Sequence, residues 1–193
     1  MQEQDRRKYF RIEQKVSIEL KPVTEEEIAD NPRPAQFEVS PYFTLLSQLQ
    51  ELDQESHSLL RKIAERDANV AAFLHILHSK IETIAKTVAS SGFEVDQVST
   101  QEVNLSEGGL MFENEVALDM DKHVAVKLIF QESCIGLLLY AKVCRIIPLD
   151  NGKFNVGLEF VSLPENCRQI LARQVFAAQT HARQIELHAL ADE

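Results

Sequence analysis

The sequence of 193 residues lacks any long apolar run. A membrane-spanning helix needs about 18 or more consecutive apolar residues, so no membrane insertion is predicted. The charged residues 1–7 are not followed by an apolar stretch, so no secretion signal is predicted either. Only three cysteines occur, Cys134, Cys144 and Cys167, and they form no CxxC pair. Because two of them lie in strongly apolar runs, we predict reduced, buried thiols and a cytoplasmic protein.

Basic charge is scarce as well. The chain has 20 lysines and arginines against 30 acidic residues, a formal net charge of −10. A protein this acidic does not attract nucleic acid or an anionic membrane as a whole. Since the strands also lack basic patches and aromatic stacking strips, an RNA-binding small barrel is disfavoured. An anionic ligand must therefore be held by a local cluster, and residues 6–11 (RRKYFR) supply one.

Catalytic and metal-binding signatures are missing too. The sequence contains no phosphate loop, nucleophile elbow or paired-carboxylate arrangement, so we predict neither an enzyme nor a cofactor. His75 and His78 are three residues apart on a helical segment, but no cysteine or carboxylate completes a ligand set at suitable spacing. We interpret them as polar flank positions of a helix and predict no metal site.

Two separate parts of the sequence have strand character. Residues 12–20 alternate apolar and polar side chains, which is typical of a strand with one buried face. Residues 21–39 form a proline-containing connector with room for one short helical turn. Residues 103–160 contain several short β-rich runs separated by turn signals, and a helix is predicted from Pro164 onwards. Five or six strands predict a small closed antiparallel β-barrel with a C-terminal helix, an α+β fold.

Glycine and further proline are absent between Tyr42 and Ser91. Ser40 and Pro41 are a good helix start, and Gly92 is well placed as a stop. Apolar residues recur at heptad spacing, which predicts an uninterrupted helix roughly 75 Å long at 1.5 Å per residue. We predict that this helix self-associates through residues 41–91, as a homotetramer or at least a dimer. A bent helical hairpin that packs on its own domain is the alternative.

Two short motifs remain. Arg7 and Arg11 form an RxxxR pattern before the first strand, and Asn104, Ser106 and Gly109 form an NxSxxG pattern downstream. Each motif is weak alone. In this order, followed by the late strand Val-Gly-Leu-Glu-Phe at 156–160 and a closing helix, they resemble the PilZ family of cyclic di-GMP receptors. The resemblance covers roughly residues 5–22 and 95–180.

The resemblance implies a division of the chain. The PilZ-type barrel would comprise residues 1–22 and 93–180, joined by a connector at 23–40 and an inserted oligomerisation helix at 41–92, with a C-terminal helix at 164–191. The insertion is similar to that of an atypical tetrameric PilZ subgroup, in which an inserted heptad helix assembles four chains. Some members of that subgroup lack the ligand motifs, whereas this chain keeps both.

The resemblance also implies the site. Arginine can fork onto phosphate oxygens or a guanine edge, asparagine and serine can hydrogen-bond a guanine, and glycine permits close approach. The predicted cyclic di-GMP contacts are Arg6, Arg7, Arg11, Asn104, Ser106 and Gly109. The predicted function is a receptor that relays the second-messenger level to an unidentified protein partner in motility, biofilm or pilus-type regulation. The alternative is a non-binding PilZ-like scaffold. Binding depends on the fold bringing together Arg11 and Asn104, which are 93 positions apart.

Overall fold

The computed structural model describes residues 11–95, 99–131, 133 and 135–191. Arg6, Arg7 and Cys134 lie outside the described residues. Six strands and four helices occur in the described chain: β1 (Ile12–Val23), α1 (Glu25–Asp30), α2 (Pro41–Ala64), α3 (Ala68–Val95), β2 (Gln101–Ser106), β3 (Gly109–Asn114), β4 (His123–Phe130), β5 (Ile135–Pro148), β6 (Phe154–Val161) and α4 (Glu165–Ala191).

The strands form a closed barrel in the order β1-β2-β3-β6-β5-β4, with every neighbouring pair antiparallel. Strand β1 closes it by changing partner: residues 12–16 pair with β2, and residues 17–23 pair with β4. Alternate side chains of each strand point inward, as the period of two requires. The predicted fold class, an α+β fold with a small antiparallel barrel, a helical insertion and a C-terminal helix, is confirmed.

The helical insertion differs from the prediction in one respect. It is not an uninterrupted helix: α2 ends at Ala64 and α3 begins at Ala68. Asp67 makes the break, because its Oδ1 accepts hydrogen bonds from the backbone N–H groups of Asn69 and Val70 at 3.0 and 3.1 Å. An aspartate in this position caps a new helix N-terminus and needs neither glycine nor proline. Helix α3 then continues past Gly92, the predicted stop, to Val95.

The insertion leaves the barrel and returns to it. Ser40, which caps α2, and Ser99, which follows α3, line the same cavity beside β1 and β4. Helix α3 has 28 residues, so its C-terminal end can reach this cavity only if α3 runs antiparallel to α2. The two helices contact each other. The alternative of a helical hairpin is therefore what the chain adopts.

Phe43 attaches the insertion to the barrel. Its ring is 3% exposed and covers Gly136 on β5, where any Cβ would overlap the ring. Lys127 of β4 places its Nζ 5.9 Å from the centre of the same ring. The start of α2 is thereby fixed on the β4–β5 side of the barrel.

The opposite end of the chain closes the core. Ile170, Leu171 and Val175 on α4 are buried in the cluster that fills the barrel. Cys167 joins them and is buried, as predicted. The prediction is wrong for Cys144, which is exposed. A register shift in β5 between Val143 and Arg145 takes the residue out of the regular inward and outward alternation.

Candidate ligand-binding site

The two sequence motifs meet on neighbouring strands. In the antiparallel pair of β1 and β2, Ile12 lies opposite Leu105 and Glu13 lies opposite Asn104. Arg11 directly precedes β1, so the register carries it to the start of the β2–β3 turn. The inserted hairpin leaves the barrel at one end of this strand pair and does not separate the motifs.

A hydrogen-bonded chain joins them. Arg11 Nη1 donates to Asn104 Oδ1 at 3.1 Å, and Asn104 Nδ2 donates to Glu13 Oε1 at 2.6 Å. These two bonds determine the orientation of the Asn104 amide, whose oxygen faces Arg11 and whose nitrogen faces Glu13. Both bonds are at the exposed surface, so a ligand can reach the two side chains without displacing the core.

Ser106 and Gly109 shape the turn between β2 and β3. Ser106 is 5% exposed, and its hydroxyl donates to the carbonyl oxygen of Gly109 at 3.1 Å. Gly109 lies opposite Glu159 of β6, and a Cβ at position 109 would run into the carbonyl oxygen of Leu158. Glycine is therefore required here by the contact between β3 and β6, whether or not a ligand is bound.

A cavity of about 470 Å³ lies over this turn. Arg11, Ser106 and Gly109 line it together with Cys144 and with Arg168 of α4. Its volume falls in the range of small-molecule sites, about 300–1,000 Å³. The cavity therefore brings three of the six predicted site residues to one surface, and Asn104 joins them through its bond to Arg11.

Several residues at this site belong to no motif and were not predicted from sequence, and three of them bear on its chemistry. Glu13 orients Asn104, Cys144 lies on the neighbouring strand, and Arg168 reaches the cavity from the C-terminal helix. Burial, and then the nearby carboxylate of Glu159, raise the pKa of the Cys144 thiol, so it is mostly protonated near neutral pH. Glu13 could have been found from the strand pattern, since it is polar and adjacent to Arg11. The other two depend on tertiary packing.

The remaining sequence predictions concern metals and membranes. Among the residues that the structure describes, no group of three or more His, Cys, Asp or Glu side chains could hold a metal ion. Within the same part of the chain, no helix combines the length and apolar character needed to cross a membrane.

Part of the chain matches a known family of protein domains. Residues 84–177 match the family model of the PilZ domain, from within α3 to the first half of α4. The resemblance of the chain to that family is therefore confirmed over these residues. PilZ domains are ligand-binding receptor domains rather than enzymes. No curated protein matches the sequence significantly.

Among solved structures, a tetrameric PilZ-domain protein of Xanthomonas campestris, self-assembled via a helical bundle, is similar in fold. It is 17% identical, covers 93% of this chain and 91% of its own, and has a TM-score of 0.54. YcgR of Escherichia coli in complex with cyclic di-GMP is 15% identical and covers 48% of this chain and 42% of its own, with a TM-score of 0.40. MrkH of K. pneumonia in its apo state is 13% identical and covers 46% and 43%, with a TM-score of 0.37.

Proposed function

We propose that this protein is a cyclic di-GMP receptor that passes its ligand state to a protein partner. Its contacts would be Arg6, Arg7, Arg11, Asn104, Ser106 and Gly109, with no cofactor and no catalytic step. Because Cys144 and Cys167 are not joined in a disulfide, we place it in the cytoplasm. Regulation of motility, biofilm or pilus-type processes is the setting that this class of receptor suggests.

The observation that carries the proposal is the bond between Arg11 and Asn104. The two motifs are 93 positions apart, yet their side chains touch at 3.1 Å beside a cavity of ligand size. Their meeting makes one surface that offers a cation, an amide and a glycine turn. This contact supports the proposal that both motifs act on one ligand despite the inserted hairpin.

The chemistry of these groups suits the ligand. Cyclic di-GMP carries two phosphates and two guanines. The guanidinium of Arg11 can place two parallel N–H groups on phosphate oxygens or on the O6 and N7 edge of guanine. The Asn104 amide can both donate to and accept from a guanine edge. A lysine at position 11 would supply the charge without the planar fork.

Isothermal titration calorimetry with cyclic di-GMP tests the proposal on the full chain. We expect saturable binding by the wild type. Arg11→Ala should weaken it by about 10- to 100-fold, since hydrogen bonds to charged groups contribute about 1.5–3 kcal/mol. Arg66→Ala, which removes an exposed arginine at the α2–α3 turn, is the control and should bind like the wild type. No heat and no competition at tens of micromolar ligand would refute the receptor.

We also propose self-association through the helical hairpin, as a homotetramer. Helix α3 carries a stripe of large apolar side chains at spacings of three and four, each between 38% and 64% exposed: Val70, Phe73, Leu77, Ile81, Ile84 and Val88. Such a continuous apolar stripe is typical of a helix face that packs on another helix. The tetrameric Xanthomonas protein, self-assembled via a helical bundle, supports the same arrangement here. A monomer by light scattering at micromolar concentration would contradict it.

A ligand-free scaffold is the second candidate. The hydroxyl of Ser106 is bonded to Gly109, and both ends of the Asn104 amide are bonded to Arg11 and Glu13. The second motif thus has a structural role that needs no ligand. If the calorimetry shows no binding while light scattering shows a stable oligomer, the scaffold is the function that remains.

A further inference from the structure

We propose that Arg168 on α4 is a further ligand-binding residue of this site, and that it contacts a phosphate of cyclic di-GMP. The inference rests on the proposed function, because it assigns an additional contact to the same ligand. It goes beyond the two motifs, since Arg168 belongs to neither and comes from the helix that closes the barrel.

The first support is position. Arg168 lines the cavity that Arg11, Ser106 and Gly109 also line. Its backbone is held in place, because Cys167 and Ile170 on either side of it are 6% and 7% exposed in the core. The side chain of Arg168 is 42% exposed, so its long stem can reach over the cavity without any movement of the helix.

The second support is charge. The charged residues among those that line the cavity are two arginines, Arg11 and Arg168, and two glutamates, Glu107 and Glu159. Among the described residues that line the cavity, the two carboxylates would outweigh Arg11 if Arg168 were absent, which disfavours a ligand with two phosphates. Arg168 balances the second carboxylate. This balance matters more in a chain whose net charge is −10 than it would in a basic protein.

The third support is the weakness of its present partner. Arg168 Nε lies 3.7 Å from Glu165 Oε2, and the Glu165 side chain is 73% exposed. An exposed pair of this kind contributes little to stability, and one long contact leaves most of the guanidinium N–H groups available. A phosphate can accept two of them at once, so it should displace Glu165.

The test is calorimetry of the full chain with cyclic di-GMP, using variants on one helix. Arg168→Gln removes the charge and should weaken binding about tenfold or more. Arg168→Lys keeps a point charge and should recover part of the loss, because a phosphate also accepts a lysine ammonium. Glu165→Gln should bind at least as tightly as the wild type, since it frees Arg168. Arg173→Gln, five residues further along α4 and lining a different groove, is the control.

The outcomes are distinguishable. If the wild type binds, Arg11→Ala loses affinity and Arg168→Gln binds like the wild type, the inference is overturned and the proposed function stands. Equal losses in the Lys and Gln variants would show that the positive charge at position 168 does not hold the ligand, and would overturn the phosphate contact. Equal losses in Arg168→Gln and Arg173→Gln would point to a general charge effect and also overturn it. No binding by the wild type overturns both proposals.

Discussion

Two exposed phenylalanines give a matched test of which surface assembles this protein. Phe73 lies on the α3 stripe and is 61% exposed, whereas Phe176 lies on α4 and is 70% exposed. The same substitution, Phe→Ser, at each position removes a similar amount of exposed apolar surface from a helix. We expect only Phe73→Ser to weaken self-association.

The size of the effect follows from the exposure. Burying a whole phenylalanine side chain stabilises by roughly 1.5–3 kcal/mol. With 61% of Phe73 still exposed, its burial between copies should contribute about 1–2 kcal/mol for each copy. That corresponds to an approximately 5- to 30-fold change in the association constant per subunit, at about 1.4 kcal/mol per tenfold.

Sedimentation equilibrium over a protein concentration series measures this change. Phe73→Ser should shift the oligomer-to-monomer midpoint to higher concentration, and Phe176→Ser should leave it in place. Thermal melts should show that neither variant unfolds the barrel, because both side chains lie outside its core. The reasoning is refuted if both variants shift the midpoint equally, or if only Phe176→Ser does.

Three further changes test the fold and the site. Gly109→Ala should lower the free energy of unfolding by about 1–3 kcal/mol, because the new Cβ meets the Leu158 carbonyl; an unchanged urea midpoint would contradict this. Phe43→Ala should lower the free energy of unfolding by about 3–5 kcal/mol, since the ring is buried. It should also expose the start of α2 to limited proteolysis. Unaltered cleavage would show that other contacts hold the hairpin. Alkylation of Cys144, followed by peptide mapping, should be slow near neutral pH and accelerate as pH rises, because its thiol pKa is raised and the thiolate reacts. Saturating cyclic di-GMP should slow it further, and equal rates with and without ligand would place the ligand elsewhere.

Local signals predicted the elements well. The alternation at 12–20 predicts β1, and Ser40 with Pro41 marks the start of α2, where Ser40 Oγ accepts from Phe43 N. The break at residues 65–67 was not predicted, because neither glycine nor proline occurs there. Asp67 carries the signal, since an aspartate directly before a helical segment can cap it by accepting from its first free backbone N–H groups.

Relations between distant segments could not be predicted in the same way. No local sequence pattern predicts that Glu13 pairs with Asn104 or that Arg168 shares a cavity with Arg11. These contacts are set by how the barrel closes and where α4 packs. The motif residues were found because their order resembles a family, whereas Arg168 and Cys144 belong to no motif and become visible only in three dimensions.

The place of β1 in the barrel has a consequence for folding. Residues 24–100 separate β1 from β2, so their pairing must close a long loop, whereas β2 to β6 follow one another along the chain. Contacts between distant segments are entropically costly and slow to form. Without β1, the order of the other strands would leave β2 and β4 as two unpaired edges, which is an aggregation hazard. Because Arg11 enters with β1, the complete site exists only after this step. Cyclic di-GMP should therefore act as a folding ligand, favouring the closed barrel by about 2.7 kcal/mol at 100 times its dissociation constant.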